Sequence, residues 1–134
     1  MNNPLASLQQ PQLLQAASLA QPTTAAYFVV ANPATQQPIA WVAEMGAADT
    51  DAAIAAANTA LPAWRSRTAY ERSRILRKWF DLLQAHKEDL ARIMTAENGK
   101  PTAEALGEVQ YAASFVEWYA EEAKRINGET LPQF

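Results

Sequence analysis

One histidine, a row of glutamates and a cluster of arginines are the residues whose types could do chemistry. His86 stands beside Lys87, Glu88 and Asp89. A metal site needs three or four convergent ligands, and no such spacing surrounds it, so His86 reads as a solvated surface histidine. Glu104, Glu108, Glu117, Glu121 and Glu122 run along one stretch. Glu104 and Glu108 stand four apart, the spacing that could make an acid/base pair on one helix face. Glu121 and Arg125 make the ordinary i, i+4 surface pair. A solvated helix face accounts for all five carboxylates.

The segment "WRSRTAYERSRILRK" holds Arg65, Arg67, Arg72, Arg74, Arg77 and Lys78, with Trp64, Tyr70 and Trp79 close by. Basic residues interleaved with aromatics are a pattern of single-strand nucleic-acid binding. The net charge of −3 argues against it. We read the cluster as a solvated helix face that also contacts an acidic neighbour, and expect no nucleic-acid partner. With no cysteine in 134 residues, there is no thiolate nucleophile, disulfide or soft metal ligand. No glycine-rich phosphate loop and no nucleophile elbow is present. The residues alone point to no catalytic, cofactor-binding or metal site.

The elements that would carry these residues are legible. Residues 1–25 are rich in Gln, Ala, Pro and Thr and read as a loosely ordered arm, with room for a short helix after Pro11 anchored by Leu13, Leu14 and Leu19. "AYFVVA" (26–31) and "IAWVAEM" (39–45) have strand composition and flank the turn residues of "NPATQQP". A first helix starts near Asp49, which can cap free amides, with Asp51 in the first turn. Ile54, Ala57, Asn58 and Leu61 fall at helical spacing, and Pro62 ends it. A second helix opens on a Thr68–Glu71 capping box. It carries Ile75, Leu76, Trp79, Phe80, Leu82, Leu83, Leu90, Ile93 and Met94 as one apolar stripe. Gly99 stops it as a left-handed cap, and Pro101 opens the third helix.

That third helix spans about 102–126 and ends at Gly128. Ala105, Val109, Ala112, Val116, Tyr119, Ala123 and Ile126 form one stripe, and Tyr111, Phe115 and Trp118 a second. Two apolar stripes imply burial on two sides. Gly107 inside this helix costs about 1 kcal/mol against alanine, so a close backbone contact is expected there.

Apolar residues make up 49% of the chain, enough for a core. No run approaches the roughly 18 apolar residues of a membrane span. The N-terminus lacks the basic start and apolar run of a signal peptide. Acidic balance and zero cysteine fit a cytoplasmic protein with no membrane partner.

Several segments resemble one family in order and spacing: "NPAT", "AIAAANTALPAWR", "ERSRILRKWFDLL", "ENGKP" and "SFVEWYAEEAKRINGETLP". The chain is similar to the N-terminal segment of NAD(P)-dependent aldehyde dehydrogenases over residues 32–132, about three-quarters of its length. "GEVQYAASFVEWYAEEAKRINGETLP" is most similar to succinate-semialdehyde dehydrogenases. The resemblance implies that the helices on either side of "NGKP" pack beside the cofactor-binding domain. It also implies that the third helix borders the aldehyde channel, with Tyr111 and Phe115 matching channel-lining positions. Plain core packing is the alternative role for that pair.

The family's chemistry needs a cysteine, a glutamate base, an oxyanion-hole asparagine and a glycine-bearing turn for NAD or NADP. By resemblance these lie beyond Phe134, so no such residue carries over and this chain alone is expected to bind no cofactor. A Gly-Glu-Trp-like strand motif usual before "NPAT" is absent.

The expectation is therefore a mainly α fold with a small β-hairpin (a hairpin plus three helices), a fragment of a larger α/β aldehyde-dehydrogenase fold. Residues 26–134 form the partial N-terminal, cofactor-domain segment. Its partners are the rest of the dehydrogenase chain or a homo-oligomer. The expected activity is oxidation of an aldehyde, succinic semialdehyde above all, in the whole enzyme, with the chain alone inactive. The competing reading is a stand-alone helical protein-interaction module with no enzymatic activity, motivated by the broad apolar face of the third helix.

Overall fold

The computed structural model describes residues 4–9, 17–18 and 26–133. A 3-10 turn, Pro4–Ser7, comes first, then strands β1 (Ala17–Ser18), β2 (Tyr27–Ala31) and β3 (Pro38–Ala43). Four helices follow: α1 (Ala47–Arg65), α2 (Ala69–Ala85), α3 (Lys87–Asn98) and α4 (Thr102–Glu122). Among the described residues no helix is long and apolar enough to cross a membrane.

The hairpin forms where its composition predicts. β2 and β3 pair antiparallel with Phe28 opposite Val42 and Val29 opposite Trp41, and the register slips between Val30 and Ala31. Asn32 Oδ1 accepts from Ala34 N–H at 2.9 Å, and Gln36 takes a left-handed φ of 58°. The sheet has a third strand that the sequence reading lacks: the order is β1-β3-β2, all antiparallel. The helix expected after Pro11, on Leu13, Leu14 and Leu19, lies outside the described residues.

A small core joins the sheet to the helices. Leu5 and Leu8 from the N-terminal turn meet Ile39 of β3 and Ala96 of α3, with Val30 and Ile93 packed around them. Two leucines three apart put both side chains on one side of a 3-10 turn. This is how part of the arm enters the core.

Three helix boundaries differ from expectation. α1 is N-capped by Gly46, whose N–H donates to Asp49 Oδ2 at 2.9 Å, but it does not end at Pro62. It continues to Arg65, and Ser66 N–H donates to Pro62 O at 3.0 Å. No residue of α1 is buried, so water can satisfy the Asn58 carbonyl that the proline leaves without a donor.

The expected single helix over 69–98 is two. His86, at φ −112° and ψ 15°, ends α2 and starts α3. Glu88 and Asp89 then form an acidic first turn, which favours a new N-terminus there. His86 is half-buried at this bend, not fully solvated.

α4 stops at Glu122 with Ala123 as its cap, short of 126. Lys124 and Arg125 N–H donate to Glu121 and Glu122 O, a tightened last turn that takes over the free carbonyls. Gly128 is left-handed (φ 58°) but lies beyond the helix end and does not cap it. A Cβ on Gly107 would meet nothing within 4 Å. The expected close contact is absent there, and the glycine's cost is not offset by packing.

Gly99 ends α3 as predicted, at φ 82°, with its N–H donating to Thr95 O. Pro101 stands one place before α4, as its N-cap.

Candidate functional site

α4 packs on α2 and on α3. Its inner face is Ala105, Val109, Ala113 and Ala120, all buried. The expected line through Ala112, Tyr119 and Ile126 is displaced: all three are exposed. At 100° per residue, placing Ala113 inward turns Ala112 and Tyr119 aside. The second stripe is bare in this chain, with Tyr111, Phe115 and Trp118 exposed by 67%, 48% and 62%. Burial on two sides is therefore not what these residues have; α4 is covered on one side.

Tyr111 and Phe115, one turn apart, meet edge to face with centroids 4.9 Å apart at 79°. That geometry suits the ring quadrupoles and presents one aromatic ledge on the outer face of α4. Ser114 Oγ donates to Tyr111 O at 2.7 Å.

The charged side of the same helix is organised by α2. Arg77 Nη1 donates to Glu117 Oε1 and Nη2 to Glu121 Oε1, each at 2.7 Å. Lys124 Nζ adds a 2.6 Å contact to Glu121, and the Arg77 guanidinium sits 5.3 Å from the Phe80 ring centroid. Hydrogen bonds from Lys124 and then Arg77 hold the Glu121 carboxyl below its ordinary pKa. Those from Glu117 and Glu121 raise that of Arg77. Arginine on α2 thus meets acid on α4, the acidic neighbour expected for the basic cluster. The Arg77 fork itself was not anticipated; the i, i+4 spacing of Glu117 and Glu121 was its only signal.

Other expected pairs resolve differently. Glu108 engages Lys100 Nζ, so Glu104 and Glu108 are not set up as an acid/base couple. Arg125 bonds Glu122 at 3.1 Å in place of Glu121, because Glu121 is taken by Arg77 and Lys124. His86 gathers no ligand set: among the described residues no group of three His, Cys, Asp or Glu could hold a metal ion. The four glycines, at 46, 99, 107 and 128, make no phosphate turn, since Gly99 is spent capping α3 and Gly107 sits within α4.

The aldehyde dehydrogenase family model matches residues 20–134. The chain belongs to the aldehyde dehydrogenase family. An NADP(+) succinate-semialdehyde dehydrogenase of Escherichia coli K12 is 61% identical over 103 residues, 77% of this chain and 21% of the relative. A glutarate-semialdehyde dehydrogenase of Pseudomonas putida is also 61% identical over 103 residues, 77% of this chain and 22% of the relative.

The crystal structure of a succinate-semialdehyde dehydrogenase from Burkholderia pseudomallei matches with a TM-score of 0.84 and 51% identity, over 95% of this chain and 27% of that one. The sheet and four helices are thus one part of the larger aldehyde dehydrogenase fold. The chain spans about a fifth of the length of these curated relatives.

Proposed function

We propose that this chain is the N-terminal segment of a cytoplasmic NAD(P)-dependent semialdehyde dehydrogenase, which oxidises succinic semialdehyde to its acid. The observation that carries the reading is 61% identity over 103 residues to enzymes named for succinate and glutarate semialdehydes. The partner is the rest of the dehydrogenase chain, or its homo-oligomer, which supplies the nucleophile, the base and the nucleotide site. NAD(P) accepts the hydride there. This chain's own share is α4, whose ledge of Tyr111 and Phe115 lines the path of the aldehyde.

The chain by itself is inactive, because without a cysteine the aldehyde carbon has no thiolate to add to it. Purified 134-residue chain, given succinic semialdehyde with NAD or NADP, is expected to form no reduced nucleotide above background. Turnover would overturn the inactivity. A chimera in which residues 32–132 replace the matching stretch of the E. coli relative is expected to oxidise the same substrate. An intact, folded but inactive chimera would count against the semialdehyde reading.

A further inference from the structure

We propose that Arg77 is a positioning residue: its guanidinium, held between Glu117 and Glu121, sets the register of α4 on α2 and thereby the place of Tyr111 and Phe115 in the assembled dehydrogenase. This rests on the proposed role of that aromatic pair in the aldehyde path.

The need for such a device follows from the interface. The inner face of α4 is three alanines and a valine: Ala105, Val109, Ala113 and Ala120. Of α2, one of its two partners, only Ser73 is buried. Small side chains let two helices approach closely and bring few polar, directional contacts of their own. A one-residue shift in the register of α4 moves every side chain by about 1.5 Å and about 100°.

Directional contacts then choose the register, Lys100 to Glu108 at the α3 end and Arg77 on the α2 side. Arg77 supplies its own as a rigid planar fork whose two arms fit carboxylates one turn apart on α4. A slip by one residue breaks both 2.7 Å contacts. Phe80 beneath the guanidinium limits where the fork can swing. The aromatic ledge lies on the face of α4 opposite Ala113, so what fixes α4 on its inner side fixes Tyr111 and Phe115 on its outer side.

The experiment uses the active chimera with Arg77→Met, Arg77→Lys, the double variant Glu117→Gln/Glu121→Gln, and Tyr111→Ala. Arg77→Met is expected to raise the KM for succinic semialdehyde about tenfold, less than the hundredfold that about 1 Å of misplacement can cost reacting groups. kcat per active site and the KM for NAD(P) should stay within about twofold. The double glutamine variant should reproduce this, and Arg77→Lys, which keeps the charge but loses the fork, should fall between.

A merely structural role would lower yield or melting temperature and leave aldehyde KM unchanged; that result overturns the proposal. If Arg77→Met gives no folded enzyme, Arg77→Lys and the glutamine pair read the same KM, and their unchanged values overturn it equally. Tyr111→Ala separates the two layers. Raised KM there with unchanged KM in the Arg77 variants defeats the positioning role alone. Unchanged KM in Tyr111→Ala defeats the aldehyde-path reading, and the Arg77 proposal with it.

Discussion

Pro33 Cγ lies 2.9 Å from the point where a Cβ on Gly99 would sit. The loop after β2 and the turn between α3 and α4 are sixty-six residues apart in sequence (99 − 33), and they close on each other at a glycine. Gly99 is needed twice there. Its φ of 82° is one that side chains rarely adopt, and its missing Cβ makes room for the proline ring. Gly99→Ala therefore strains the backbone by about 1–2 kcal/mol and also displaces Pro33. A urea midpoint lowered by more than the strain alone predicts is the expected result. Adding Pro33→Ala to Gly99→Ala should recover the excess.

The inner face of α4 allows a sharper test, because neighbouring alanines have opposite fates. Ala113 is fully buried and Ala112 is exposed. Ala113→Leu must push extra methylenes between packed helices, at a cost of about 1–3 kcal/mol. Ala112→Leu points outward and should change stability by less than about 0.5 kcal/mol. Thermal unfolding of the two variants checks which alanine faces inward; equal effects would contradict the packing described.

Acid should loosen the charged seams. Glu71 is held below its ordinary pKa by the Thr68 backbone N–H and then the Thr68 hydroxyl, and Glu121 by Lys124 and Arg77. A carboxylate with a lowered folded-state pKa binds its proton more readily when unfolded. Its stabilisation is then full above the unfolded value, near 4.3, and is lost as pH falls through the lowered folded value. Stability is expected to be level above about pH 5 and to decline below about 4.3. Glu121→Gln should make that decline shallower while leaving the plateau lower.

Local signals were the readable part of this protein. The Thr68–Glu71 capping box forms as spaced, with Thr68 N–H donating to Glu71 Oε2 at 2.8 Å and Glu71 N–H to Thr68 Oγ1 at 3.3 Å. Gly99 caps α3, and the β2–β3 hairpin closes on its Asn-Pro turn. Each depends on contacts within a few residues, so the residue types determine it. The family, too, was legible from the order of five short segments.

What depended on distant partners was not legible. Nothing near Pro62 reveals that α1 passes through it. That outcome depends on α1 being solvated along its length. Which of Ala112 or Ala113 turns inward is a difference of 100°, decided by where α2 and α3 lie. Glu121 leaves Arg125 for Arg77, forty-four residues away, because only the packed helices bring that guanidinium within reach. The place of Leu5 and Leu8 is made by Ile39 and Ala96, which are distant from them in sequence. Spacing along the chain determined the caps, the turns and the family; the choice of face and of charge partner belonged to tertiary packing, since both depend on distances the linear order does not contain.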